Sequence, residues 1–159
     1  IIVMKDGRTQ QEGTPEEVYD KPSNHFVADF LGHCNFHKGK ILGREEGLIK
    51  VQIDDGSVLY SDHDRGWTED QSVELMVRAQ KLQVFTQSEA SSGPDKNTYP
   101  GQIKTRMYMG GEAWYFVEME SGSVAHAINI SREKPLQEGD PVTVHIPPQH
   151  CRILPLENG

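Results

Sequence analysis

Two histidines and a cysteine that lie close together, His33, Cys34 and His37, are the residues best suited to hold a metal ion. Imidazole and thiolate groups a few positions apart are typical ligands of zinc and iron. No second closely spaced pair completes a full ligand set. We therefore expect no metal and no other cofactor in this chain, treat these residues as weak candidates only, and interpret them as a junction between helix and strand.

The sequence lacks the patterns expected of a catalytic site. A phosphate-binding loop needs a lysine followed by Ser or Thr, but Gly39-Lys40 is followed by Ile41. Paired carboxylates could act as an acid and a base. The pairs in this sequence lie in turns or at alternating positions of a strand, which favours an interpretation as solvent-exposed polar surface. These pairs are Asp54/Asp55, Asp62/Asp64 and Glu118/Glu120. We expect no catalytic residue and a chain that is not an enzyme.

Trp114, Tyr115 and Phe116 are consecutive aromatic residues in a strand-like segment. Alternate side chains of a strand point to the same side, so Trp114 and Phe116 share a face. A platform for stacking nucleic-acid bases also needs neighbouring Lys or Arg, which this segment lacks. The pattern favours a core or a partner interface. By the same alternation His145, between two aliphatic residues, is expected to face solvent.

Composition and charge exclude several partner classes. The 159 residues carry 16 Lys+Arg and 24 Asp+Glu, a formal net charge of −8. This balance argues against a broad grip on nucleic acid or anionic lipid, and no apolar run is long enough to span a membrane. No cluster of Lys/Arg with Ser/Thr suggests an oxyanion site. Cys34 and Cys151 are far apart and fit free thiols in a reducing compartment.

The first 32 residues predict a hairpin followed by two short helices. Asp6-Gly7 between extended runs indicates a tight turn. Thr14 and Glu17 are spaced as a capping box at the start of the first helix, and Ser23 is the expected cap of the second.

From residue 33 onward, short β-rich runs alternate with turns rich in Gly, Asp and Pro, which indicates a mainly β fold. Related segments recur in the same order in two halves, 33–86 and 99–155, separated by a polar linker at 87–98. The matched segments are Gly39-Lys40-Ile41 with Gly101-Gln102-Ile103, Gly56-Ser57-Val58 with Gly122-Ser123-Val124, and 73–77 with 142–146. The repeat predicts either one small Greek-key barrel per half or two halves interleaved in a shared barrel.

The opening stretch carries a specific family resemblance. Residues 2–32 read IVMKDGRTQQEGTPEEVYDKPSNHFVADFLG. This segment resembles the end of the nucleotide-binding domain in ATP-binding subunits of ABC importers, in the branch that serves polyamines, ferric iron, sulfate and maltose. The rest resembles, more loosely, the regulatory TOBE (transport-associated OB) domain of those subunits. Arg78 matches the arginine of the family's Arg-Pro-Glu motif, whereas Ala79 and Gln80 replace its proline and carboxylate.

This resemblance implies the tail of a nucleotide-binding domain over 1–32 and a duplicated OB-like (TOBE) barrel over 33–159. The family's ATPase motifs would lie upstream of Ile1, and the missing initial Met fits a fragment whose parent binds ATP and Mg²⁺. Arg78, Trp114 and Phe116 become the expected regulatory or interface residues. The implied function is regulation and dimerisation of the ATPase.

The same resemblance implies partners and a location. The partners are a second copy of the parent ATPase, the membrane subunits of the transporter and a small-molecule effector, with no nucleic acid and no direct insertion into the membrane. The implied location is cytoplasmic, on the inner face of a prokaryotic cell membrane. Two alternatives remain open: a module that binds a small oxyanion, metal or polyamine, and an OB fold that binds single-stranded nucleic acid.

Overall fold

The computed structural model describes residues 1–89, 96–128 and 134–156. Among them the fold is mainly β, and none of the described helices is long and apolar enough to cross a membrane. The elements are β1 (Ile2–Lys5), β2 (Arg8–Glu12), α1 (Pro15–Asp20), α2 (His25–Phe30), β3 (Cys34–Glu45), β4 (Leu48–Ile53), β5 (Val58–Ser61), β6 (Ser72–Arg78), β7 (Gln83–Thr86), β8 (Thr98–Met109), β9 (Glu112–Met119), β10 (Val124–Ile128), β11 (Pro141–His145) and β12 (Arg152–Pro155). Short 3₁₀ turns at Ala79–Lys81 and Pro148–His150 precede β7 and β12.

Turn and cap residues shape the N-terminal segment as the sequence predicts. Strands β1 and β2 form an antiparallel hairpin, and Asp6 and Gly7 take positive φ values of 50° and 73° at its turn. Thr14 accepts a hydrogen bond from the Glu17 amide while the Glu17 carboxylate accepts one from the Thr14 amide, which completes the predicted capping box.

The expected cap of the second helix was wrong by one residue. Asn24, not Ser23, is the N-cap of α2, because its Oδ1 accepts the Val27 amide at 2.9 Å. The Ser23 amide instead donates to Gln11 Oε1 at 2.8 Å, and the Asn24 Nδ2 donates to Gln10 Oε1 at 3.2 Å. These bonds fasten the hairpin to the chain between the helices.

The twelve described strands form the hairpin and two five-stranded sheets in which the two halves exchange their last strands. One sheet has the order β12-β6-β3-β4-β5, and the other has the order β10-β9-β8-β11-β7. Strand β7 of the first half pairs with β11, and β12 of the second half pairs with β6, both antiparallel. The fold is therefore a duplicated OB-like barrel with interleaved halves that share one hydrophobic core.

Equivalent glycines mark the same point in each half. A Cβ added at Gly39 would lie 2.7 Å from the Gln52 carbonyl oxygen, and one at Gly101 would lie 2.8 Å from the Glu118 carbonyl oxygen. Only glycine allows the strands to approach this closely. A register shift follows each glycine, between Ile41 and Gly43 and between positions 103 and 105.

Two buried asparagines link the halves reciprocally. Asn35, on β3, donates to the His126 carbonyl oxygen at 2.8 Å and accepts the His126 amide at 2.7 Å. Asn97, just before β8, makes the same pair of bonds with Tyr60 on β5, both at 2.6 Å. Asn35 thus binds β10, the third strand of the second half, and Asn97 binds β5, the third strand of the first half.

The expected exposure of His145 is wrong, and the expected linker lies partly outside the described residues. His145 is 5% exposed, so the expectation that it faces solvent was wrong. Its strand, β11, lies between β7 and β8, and the Nδ1 atom of His145 lies 3.1 Å from the Thr98 hydroxyl. Of the expected linker at 87–98, residues 90–95 lie outside the described residues, as do residues 129–133 and 157–159 of the expected barrel region.

Candidate functional site: the junction of helices and barrel

Arg78 is the central residue of the junction between the helices and the barrel. It ends β6 and is only 5% exposed. Its Nη2 donates to the Tyr19 carbonyl oxygen at 2.7 Å, and its Nη1 donates to the Ala28 carbonyl oxygen at 2.6 Å. Its guanidinium lies 4.2 Å from the centre of the Tyr19 ring. One cation therefore satisfies carbonyl groups near the C-terminal ends of α1 and α2, where positive charge is favoured.

Further contacts extend the junction along β6 and β12. His25 of α2 lies 2.8 Å from the Glu74 carboxylate, and its ring stacks on Phe36 with centroids 4.0 Å apart. Arg152 Nε donates to the Asp20 carbonyl oxygen at 2.8 Å.

A small apolar cluster lies beside these polar contacts. Ala28 of α2, Met76 of β6 and Leu154 of β12 are buried together, with Phe36 packed against them. The helical segment is thus held by both apolar and polar groups from one face of the sheet.

The structure separates the three residues considered for a metal. Cys34 contacts Arg78, with 3.0 Å between its Sγ and Nη1, and burial raises the pKa of its thiol. His33 is exposed and packs against Trp114, whereas His37 lines a cavity between the two halves. Within 1–89, 96–128 and 134–156, no group of three His, Cys, Asp or Glu residues could hold a metal ion.

Trp114 and Phe116 share one face, as the alternation predicts, and form an aromatic cluster at the edge of the junction. His126 stacks on Phe116 at 4.5 Å and lies 4.7 Å from Trp114, which also packs edge-on against His33 at 4.5 Å. Burial, and then the nearby His33, lower the pKa of His126. Trp114 is held in place by a 3.0 Å hydrogen bond to Glu112. The cluster connects the second half to the residue that follows the helices.

A cavity of about 210 Å³ lies between the two halves. Its walls are largely aliphatic, and Asp55 stands at its polar rim beside Ser121 and Ser123. Burial would raise the pKa of Asp55, but hydrogen bonds from Ser121, Ser57 and Ser123 outweigh it and hold that pKa at about 2. Asp55 is therefore a fixed, half-buried anion rather than a solvated surface carboxylate. Burial lowers the pKa of His37, which also lines the cavity.

Of the sequence-based site residues, the structure brings Arg78 and Cys34 together at the junction and Trp114, Phe116 and His33 together beside it. No sequence motif marks Asn35 and Asn97, although they are 62 residues apart, the same offset as Gly39 and Gly101.

Comparison with known proteins identifies the domain family and the fold of the barrel region. A family model described as the TOBE domain matches residues 75–154. A solved structure of the cytoplasmic molybdate-binding protein ModG, with molybdate bound, superposes with a TM-score of 0.64 at 17% identity. The superposition covers 75% of this chain and 94% of that one, and it shows a shared fold.

Curated relatives match nearly the whole chain. The spermidine/putrescine import ATP-binding protein PotA of Trichodesmium erythraeum is 30% identical over 97% of this chain, and that of Rubrobacter xylanophilus is 31% identical over 97%. The PotA of Aliivibrio fischeri is 34% identical over 77% of this chain. The chain spans about two fifths of the length of the first two, 42% and 40% respectively. The matched family model covers half of the residues, and the chain belongs to the TOBE domain family.

Proposed function

We propose that this chain is the regulatory and dimerisation part of an ATP-binding subunit of an ABC importer for spermidine, putrescine or a similar solute. The relatives named above support the parent class. The observation that carries the proposal is the junction, where Arg78 binds the ends of both helices from the last residue of a barrel strand.

The junction provides a physical route for regulation. A ligand or partner that binds two arrangements of the barrels with different affinity shifts the equilibrium between them. Buried hydrogen bonds and packing at Arg78 and Met76 carry such a shift to α1 and α2. In this proposal residues 1–32 are the tail of the nucleotide-binding domain and residues 33–159 are the regulatory domain.

The remaining assignments follow from the parent class. ATP and Mg²⁺ bind the part of the parent subunit that carries the ATPase motifs, and the present chain performs no step of hydrolysis. The subunit dimerises, contacts the membrane subunits of the importer and works on the cytoplasmic face of the membrane.

A chimaera tests the coupling role. The chain replaces the matching 158-residue region of the Rubrobacter xylanophilus protein, and ATPase activity is compared with and without Glu74→Gln, which weakens the contact to His25. Glu118→Gln, on the distant sheet, is the matched control. We expect Glu74→Gln alone to change the ATPase rate. Equal rates for both variants, with folding intact, would contradict coupling through the junction.

Dimerisation is tested separately. Sedimentation of the 159-residue chain should show reversible self-association that strengthens with concentration. A strict monomer at high concentration would contradict autonomous dimerisation.

A second candidate function is binding of a small amine in the cavity between the halves. The observation that favours it is the combination of aliphatic walls with the ionised Asp55 at the rim. An alkyl amine would place its carbon chain against the walls and its ammonium group near the carboxylate. Calorimetry with spermidine and putrescine, repeated on Asp55→Asn, tests this function. No heat with either ligand would eliminate it.

A further inference from the structure

A basic recess opens beside the junction, on the side where α1 ends. Among the described residues, Asp20 is the one carboxylate that lines it. The basic groups that line it are Lys21, Arg78, Lys81, His150 and Arg152. The recess has a volume of about 300 Å³. We propose that it binds a small phosphate-bearing anion.

The cations of the recess lack carboxylate partners. Within the described residues, Lys21, Arg78, Lys81 and Arg152 form no ion pair, whereas seven ion pairs occur elsewhere. Arg78 donates to main-chain carbonyl groups and to a sulfur atom, which leaves its charge unneutralised. A chain of net charge −8 therefore keeps four unpaired cations around one concave surface.

Arg152 is already oriented by its neighbours. Its Nε donates to the Asp20 carbonyl oxygen at 2.8 Å, and its Nη1 donates to His63 Nδ1 at 2.7 Å. That bond requires a neutral His63, since the ring nitrogen must accept. The guanidinium is thus held without a salt bridge: Asp62 and Asp20 act on it only at longer range, and its donors to a bound anion are not taken up by a carboxylate.

The shape and the donor types favour a phosphate-bearing small molecule over a membrane surface. Guanidinium and ammonium groups are the usual donors to phosphate oxygens. The recess is concave and bounded by α1, β6, β12 and the two 3₁₀ turns, so a flat anionic surface would reach only its rim. A bound anion would contact the helical segment at Lys21 and the barrels at Lys81 together.

The direct test is calorimetric titration of the chain with pyrophosphate at low ionic strength. Lys21→Gln and Lys81→Gln remove one charge each without touching the buried contacts of Arg78. Lys104→Gln removes the same charge on the other sheet. We expect each recess variant to weaken binding about five- to tenfold, through loss of one charge-assisted contact, and the control to change it less than about twofold.

Histidine resonances give a second, local measurement. Burial and then Arg152 lower the pKa of His63, and burial and then Lys81 lower the pKa of His150. A bound anion offsets these cations, so pyrophosphate should raise both pKa values in an NMR titration. His145 lies on another strand, β11, and burial lowers its pKa. It is the internal control, and its pKa should not change when pyrophosphate is added.

Three results would overturn the proposal. These are no binding by the wild-type chain, an equal loss of affinity in Lys104→Gln, and binding to phosphatidylglycerol vesicles without binding to free pyrophosphate. The measurements use only the 159-residue chain, so their outcome is independent of the transporter role proposed above.

Discussion

Replacing Arg78 by methionine should destabilise the junction by an amount that follows from its contacts. The two short bonds to the Tyr19 and Ala28 carbonyl oxygens, at 2.7 and 2.6 Å, are charge-assisted. Each such bond contributes about 1.5–3 kcal/mol, and its loss leaves a carbonyl group without its donor. The stacking on Tyr19 adds about 1 kcal/mol.

One effect opposes this loss. Burying a guanidinium without a carboxylate costs several kcal/mol, and methionine, of similar length, removes that cost. Because the partners left behind are neutral carbonyl groups, the penalty is smaller than for a broken ion pair. We expect Arg78→Met to lower the free energy of unfolding by about 2–4 kcal/mol. Arg78→Lys should lose about half as much, since an ammonium keeps the charge but lacks the planar fork of donors that matches both carbonyl groups.

Urea unfolding followed by far-UV circular dichroism and tryptophan fluorescence measures the change. Trp114 is a useful reporter because it packs against His33, beside the junction. Arg8→Met is the matched control: Arg8 is exposed on the hairpin and should change stability by less than about 0.5 kcal/mol. If Arg78→Met also stays within about 0.5 kcal/mol of the wild type, the assignment of Arg78 as the anchor of both helices is refuted.

Three further changes test other parts of the fold. Gly101→Ala should lower stability by about 1–3 kcal/mol in thermal unfolding, because its Cβ would lie 2.8 Å from the Glu118 carbonyl oxygen; an unchanged midpoint would contradict the close approach. Asn97→Ala should cost about 2–3 kcal/mol by the same measurement, because the Tyr60 amide and carbonyl lose their partner; a neutral result would show that water replaces it. Stability should fall as pH drops from about 6.5 towards 4, because the folded chain holds the pKa of His63 at about 4 while the unfolded imidazole binds its proton near 6.5. His63→Gln should reduce that slope, and a slope equal to that of the wild type would count against this contribution.

The N-terminal segment could be predicted closely because its signals are local. The Asp6-Gly7 turn and the capping box of Thr14 depend only on neighbours in the chain. The error at Ser23 has a physical reason. Serine and asparagine both cap helices well, and a bond from the Ser23 amide to Gln11 on the hairpin, which is not a local contact, left the role to Asn24.

The repeat could be read from the sequence, but the strand exchange could not. Matched glycines such as Gly39 and Gly101 mark equivalent strands whatever their partners are. Separate and interleaved barrels bury the same alternating faces, so strand patterns alone favour neither arrangement. The burial of His145 depends on that exchange, because β7 comes from the other half to cover one side of β11.

The basic recess escaped the sequence analysis because its cations are scattered along the chain. Lys21 follows the first helix as its C-cap, Lys81 lies in a turn after β6, and Arg152 begins β12. Arg78 lies close to Lys81 in the sequence, and His150 lies close to Arg152, but neither spacing forms a recognised anion-binding motif. The pairing of β12 with β6 brings the cations of the barrel to one surface, and the bonds from Arg78 and Arg152 to the end of α1 place Lys21 beside them.

That pairing also connects the helices to both halves of the barrel. Along β6, Leu75 and Val77 point into the shared core, while Met76 and Arg78 point to the helices. Along β12, Arg152 and Leu154 face the helices in the same way, while Ile153 lies in the core. Because β12 belongs to the second half and β6 to the first, the surface that holds α1 and α2 is built from both halves. A change of packing in either half would therefore reach the helices directly through β6 or β12.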